Sequence, residues 1–173
     1  MKRNLLLLLV VALGVLPLVS CDGNSDSCLA PVEVGDKFGY IDKTGHIVIN
    51  PQFYDACFFS EGLARVCVGD KFGYIDKTGN LVINPQFDDV DDFSEGLARV
   101  AIGDKYGFID KKGDFVINPQ FESADRFSEG LARVLVGDKY GFIDKTGHFV
   151  INPQFDDVGN FHNVNNNTIW EEE

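Results

Sequence analysis

One phrase constrains this chain more than any other. GDKFGYIDKTG runs from Gly35 to Gly45 and again, letter for letter, from Gly69 to Gly79. Near copies follow as GDKYGFIDKKG from Gly103 and GDKYGFIDKTG from Gly137. The copies are spaced by 34 residues, as are Pro51, Pro85, Pro119 and Pro153. INPQF follows each copy, and FSEGLARV occurs from Phe59, Phe93 and Phe127. Upstream, LAPVEVGD from Leu29 aligns with LARVCVGD from Leu63. Self-similarity at this period signals an array of small units that stack on one another. The repeats span residues 29–161, which leaves no room for a separate catalytic domain.

The turn chemistry inside one unit is readable. Gly69-Asp70 separates two runs of alternating and β-branched character, the mark of a tight two-residue hairpin with Gly at positive φ. Asp76-Lys77-Thr78-Gly79 has the order of a type I turn closed by a left-handed Gly. Three strands are predicted, Leu63 to Val68, Lys71 to Ile75 and Asn80 to Ile83. Asn84-Pro85 is expected to end the third, because proline lacks the ladder donor. Phe72 and Tyr74 alternate with Gly73 and Ile75, and Leu81 and Ile83 oppose Val82, so both faces of each sheet are expected to be covered. A single unit buries too little to offset the ordering of its backbone, so neighbours must bury each other. The expected fold is all-β, with four antiparallel β-meanders stacked into an elongated array. A closed propeller-like ring is the alternative.

The segments outside the repeats read differently. Residues 1–20 combine Lys2 and Arg3 with an apolar run from Leu5 and a small residue, Ser20, before Cys21, the pattern of an export signal. LVSC, Leu18 to Cys21, resembles the lipobox of bacterial lipoproteins, which implies lipidation at Cys21 and a polar tether over 21–28. The expected location is the bacterial cell envelope, on the exported side, with the chain held to a membrane by that lipid. Residues 162–173, with Ile169 and Trp170, read as a cap or a frayed end.

The pattern GLARV, GDKYGFIDKTG, VINPQF and FSEGLARV resembles the WG-repeat proteins of bacteria, also called KWG repeats, over almost all of 29–161. The aromatic that precedes Gly in the family name is Phe38, Phe72, Tyr106 and Tyr140 here, never Trp. The resemblance implies β-repeats on exported proteins that serve as interaction modules, with no shared catalytic residue.

Charge narrows the partners. The formal net charge is −12, and removal of Lys2 and Arg3 takes it to −14. Nucleic acid is excluded as a partner by phosphate repulsion. No cofactor is expected. Cys21 is assigned to lipid, and Cys67 reads as a small strand hydrophobe. A single disulfide among Cys28, Cys57 and Cys67 is left open. No zinc-ligand spacing is present. DDVDD, Asp88 to Asp92, lacks the ordered spacing of a calcium loop and reads as a solvated connection. Asp42, Asp76, Asp110 and Asp144 are assigned to turn hydrogen bonds, and Glu61, Glu95 and Glu129 to ion pairs with Arg65, Arg99 and Arg133. His46 and His148 are expected at exposed strand starts, and neither these nor His162 accompanies a nucleophile motif.

No active site emerges, and a non-enzymatic module that binds a protein is the expectation. Recognition should then use residues that differ between units, in the connections. The candidates are Tyr54, Phe58, Asp88, Asp89, Asp91, Asp92, Glu122, Asp125 and Arg126. Glycan binding or processing, or a passive spacer, are the alternatives.

Overall fold

The computed structural model describes residues 28–161. All of the 21–28 tether but Cys28, the lipidation site Cys21, the signal segment and the 162–173 tail lie outside the described residues. Among the described residues fifteen strands, all antiparallel to their neighbours, form four sheets. The first holds β1 (Ala30–Val34), β2 (Lys37–Ile41) and β3 (Ile47–Phe53). The second holds β4 (Asp55–Ala56), β5 (Ala64–Val68), β6 (Lys71–Ile75) and β7 (Leu81–Phe87). β8 (Asp89–Val90), β9 (Ala98–Ile102), β10 (Lys105–Ile109) and β11 (Phe115–Phe121) make the third. β12 (Ser123–Ala124), β13 (Ala132–Val136), β14 (Lys139–Ile143) and β15 (Phe149–Phe155) make the fourth. The long last strand of each of the first three units is followed by a bend and then by the short first strand of the next sheet. This is the stacked array of four β-units, with no closed barrel.

Both expected turns are present. Val68 pairs with Lys71 across Gly69-Asp70, with Gly69 at φ 66°. At the other end of β6 the Asp76 carboxylate accepts hydrogen bonds from the Thr78 hydroxyl (2.6 Å), the Thr78 amide (2.9 Å) and the Asn80 amide (3.0 Å), and Gly79 N donates to Asp76 O.

The expected end of the third strand is wrong. β7 runs through Asn84-Pro85 to Phe87. Tyr74 pairs with Ile83 and Phe72 with Phe87, so two steps on β6 face four on β7. That bulge takes the proline nitrogen off the ladder, where its missing proton costs nothing. The bulged backbone crosses directly over Gly73. A Cβ there would lie 2.5 Å from Ile83 O and 2.7 Å from Pro85 N, and Gly39, Gly107 and Gly141 are crowded in the same way. The Gly of the WG-type pair is therefore a close-approach residue.

Three cores fill the gaps between successive sheets. Tyr40, Ile49 and Phe53 of the first sheet meet Val66 and Ile75 of the second. Tyr74, Ile83 and Phe87 meet Val90, Val100 and Ile109. Phe108, Ile117 and Phe121 meet Val134 and Ile143. Adjacent residues Tyr74 and Ile75 thus face opposite neighbours, and both are fully buried. Coverage of the third strand falls short of expectation, since Leu81 and Val82 are exposed. They lie at the start of β7, on the flank of the single file of sheets.

Candidate functional site

The connections between units are organised by the residues that never change. Each FSEG segment makes a two-residue turn in which Ser60 and Leu63 exchange backbone hydrogen bonds. Both central residues, Glu61 (φ 50°) and Gly62 (φ 93°), are left-handed. Glu is a poor residue for that conformation, which favours Gly and Asn. Its carboxylate offsets the strain by reaching forward. Glu61 accepts from Gly96 N at 3.1 Å and pairs with Lys111 at 3.1 Å; Glu95 repeats this with Gly130 N and Lys145. The Lys145 hydrogen bond is the first cause of a Glu95 carboxyl held below its ordinary range. The Ser60 and Ser94 hydroxyls donate to Phe93 O and Phe127 O of the following unit. The expected pairing of these glutamates with Arg65, Arg99 and Arg133 is therefore overturned, because the left-handed turn aims them along the stack.

The arginines instead meet the variable aspartates. Arg99 grips Asp91 through Nε (2.8 Å) and Nη2 (3.0 Å) and reaches Asp89 at 3.0 Å, while its guanidinium lies over the Tyr106 ring. Arg133 Nε binds Asp125 at 2.7 Å, and Asn160 Nδ2 donates to the same carboxylate at 2.9 Å. Arg65 donates through Nη1 to Val90 O at 2.9 Å and approaches Asp92 with Nε 3.3 Å from Oδ1. That last pair misses hydrogen-bond geometry, so both atoms are buried without a hydrogen-bond partner. Burial pushes the Asp92 carboxyl up, Arg65 opposes the shift, and the Asp91 charge reinforces it.

Four of the nine candidates converge. Asp91, Asp92, Asp125 and Arg126, with Arg65 and Asn160, line one groove of about 340 Å³. Asp89 stands beside it through the shared Arg99. Asp88 and Glu122 sit elsewhere, each in a structural position: Asp88 pairs with Lys71 and accepts from Gly103 N (2.7 Å), and Glu122 pairs with Lys105 (2.9 Å) and accepts from Gly137 N (3.3 Å). Their lysine hydrogen bonds are the first cause of carboxyls held low. Tyr54 is exposed at the β3–β4 bend under the Lys37 ammonium, and Phe58 is half-buried. Arg65 and Asn160 were missed. Arg65 occurs in the LARV phrase that three units share, which hid it; Asn160 aligns with Phe58, Asp92 and Arg126, a column of unlike residues that did signal it.

His46 is exposed, with its amide donating to Asp42 and its ring beside Thr44. His162 lies outside the described residues. Cys67 is buried in β5, and Cys57 and Cys67 are free thiols. Cys28 is disulfide-bonded while Cys57 and Cys67 are free, so no pair forms among Cys28, Cys57 and Cys67. No cluster of three or more His, Cys, Asp or Glu is placed to hold a metal among the described residues, and no described helix is long and apolar enough to cross a membrane.

Comparison with known proteins gives one clear family match. No curated protein matches the chain. Among solved structures, a plant lectin with two metal-binding sites from Cicer arietinum aligns over 82% of this chain and 89% of its own, at 14% identity and a TM-score of 0.31. The WG containing repeat model matches residues 38–72, 72–106, 106–140 and 140–166, each segment beginning at the aromatic before the close-approach Gly. The chain therefore belongs to the WG containing repeat family.

Proposed function

We propose that this WG-repeat protein is a non-enzymatic binding module of the bacterial envelope, held to a membrane by a lipid on Cys21, and that its ligand occupies the Asp91–Asp92–Asp125–Arg126 groove. One observation carries this reading. Most residues that repeat are consumed by turns, cores and the glutamate staples, whereas the groove takes five of its six lining residues from the two columns that vary between units. A surface formed by sequence differences within a repeat array is free to be shaped by a ligand.

The groove's chemistry is that of a polar, charge-paired surface suited to a partner protein. Its three carboxylates face two guanidinium groups, and Arg65 is already engaged by Val90 O and Asp92. The lipid places the groove near a membrane, where such a partner would be met. Each groove carboxylate is matched to an arginine, which favours recognition over proton transfer.

In-cell cross-linking of the full chain tests the module. The expected result is one recurrent partner, lost in an Asp92→Asn, Asp125→Asn double variant with unchanged circular dichroism. A partner retained by that variant refutes the groove. A Cys21→Ala form tests the anchor separately, since it should leave the membrane fraction. Peptide mass also decides the anchor. A Cys21 peptide without lipid mass would refute the anchor.

A further inference from the structure

We propose that copies of this chain associate head to tail, by adding the segment around Val158 of one copy to the open edge of β1 in the next. The inference begins from a mismatch between the two ends of the array. Sheets two to four each have a short first strand supplied by the preceding unit, with Ala56 opposite Val66, Val90 opposite Val100 and Ala124 opposite Val134. The first sheet has only three strands, so among the described residues β1 has a neighbour on one side. At the other end, Asp157–Val158 occupies the short-strand position of the series and belongs to no sheet. Val158 continues the series Ala56, Val90, Ala124, and Val32 precedes the series Val66, Val100, Val134. The missing strand and the spare strand are counterparts.

The donor segment is already set in the internal geometry. Arg133 donates to Val158 O as Arg65 does to Val90 O. Ser128 donates to Phe161 O as Ser94 does to Phe127 O. Phe161 tilts against Phe142 with centroids 4.8 Å apart, matching Phe108 and Phe127 at 4.8 Å. What it lacks is cover. Phe155 is 39% exposed where its equivalents Phe87 and Phe121 are 0% and 4%, and Phe161 is 46% exposed where Phe93 and Phe127 are 2% and 1%. The acceptor presents Ala30, Val32 and Ile41, half-buried equivalents of the fully packed Ala98, Val100 and Ile109. Pro31 stands where Arg65, Arg99 and Arg133 use their carbonyls to accept from Cys57, Asp91 and Asp125, and proline keeps that carbonyl.

Charge supports the same register. Glu61 pairs with Lys111 and Glu95 with Lys145. The third member, Glu129, holds the same left-handed conformation (φ 53°) with no carboxylate partner among the described residues. Continuing the period across a junction brings Lys43 of the next copy to it. One contact opposes: Asp157 would face Glu33, a like-charge pair that Arg133, 3.8 Å from Asp157, offsets in part. The tether before β1 is a poorer occupant, since CDGNSDSC carries none of the Phe and Val residues that the short-strand segments bury. A head-to-tail junction regenerates its own open ends, so the assembly is an open chain of copies.

Two single variants of the full chain in detergent, Val32→Cys and Val158→Cys, test this directly. Mixed under mild oxidation they should give a cross-linked dimer that neither gives alone, and wild type controls for Cys57 and Cys67. Glu129→Lys should lower the yield roughly two- to fivefold, as for an exposed ion pair, with Lys43→Glu restoring it and Glu33→Gln raising it. No mixed dimer overturns the proposal. So does a fast-migrating monomer from the double cysteine chain, which would mean the array closes on itself. Self-linking of either variant alone also overturns it, because it indicates an isologous contact. If a cysteine variant fails to fold, the charge swap read by sedimentation decides; mass unchanged by Glu129→Lys refutes the junction.

Discussion

Replacing Gly73 with alanine asks whether the close approach of the bulge is what the glycine is for. The added Cβ would sit 2.5 Å from Ile83 O and 2.7 Å from Pro85 N, both backbone atoms of β7. No rotamer relieves that, so the bulge must lift. Lifting it strains the Phe72–Phe87 and Tyr74–Ile83 pairs on either side, and Tyr74, Ile83 and Phe87 are the forward face of the second sheet. Forced insertions into packed sites cost about 1–3 kcal/mol, and a rigid backbone places this one at about 3 kcal/mol. Gly69→Ala is the matched control. It has positive φ but nothing within 4 Å of its added Cβ, so only the left-handed cost of about 1–2 kcal/mol applies, reduced by the lower entropy of the unfolded chain. For a chain of this size about 3 kcal/mol lowers Tm by roughly 6–12 °C. Urea and thermal melts of both variants should show Gly73→Ala losing at least twice what Gly69→Ala loses. Equal losses would refute the crowding argument and leave only turn conformation.

Three further outcomes are expected. Hydrogen bonds from Thr78, and likewise from Thr44 and Thr146, hold the Asp76, Asp42 and Asp144 carboxyls below the ordinary range. Native carboxylates with depressed pKa values contribute stability present above about pH 4 and lost as pH falls through their folded values. Urea midpoints from pH 5 to 2 should therefore drop less steeply in Asp76→Asn than in the parent. Glu129→Gly, measured in dilute solution, should stabilise the chain by about 0.5–1 kcal/mol by removing strain without losing a partner. Glu95→Gly should not, because it also removes the Gly130 and Lys145 contacts; an equal gain would show that the staples contribute nothing. Tyr74→Phe removes the hydroxyl that donates to Asp91 O at 2.6 Å. It should cost about 0.5–1.5 kcal/mol in a urea melt, since Phe108 fills the equivalent place with its ring fully buried. A loss above about 3 kcal/mol would mean the ring itself had moved.

What the sequence disclosed follows from how each residue acts. Gly69 and Asp76 act on their own turns, so local chemistry identified them. Gly73 acts on the backbone of the next strand, ten residues on across a turn, and its letter looks like any other glycine. The passage of β7 through Pro85 was hidden because the proline rule presumes a regular ladder, and the bulge removes that premise. Glu61 was misassigned for a related reason: a left-handed Glu is disfavoured locally and becomes understandable only when the next unit supplies Gly96 and Lys111. The groove was more legible, since Asp92 and Arg126 share a column with Phe58 and Asn160, and Asp91 and Asp125 share one with Cys57 and Gly159, but Arg65 was masked by its own repetition.

The same logic limits where recognition can occur. Three cores join four units, so every internal face is spent on a neighbour and only flanks and ends remain. The flank groove has its form from residues that break the repeat. The ends have theirs from residues that keep it, because a face made to fit the next unit still fits that unit when another copy provides it. Breaking the repeat therefore selects a foreign ligand, and keeping it selects self. Changes at Asp92 and Asp125 should alter partner binding with assembly intact, while changes at Glu129 and Val158 should do the reverse. Loss of both functions from either pair would mean that the groove and the ends are one surface.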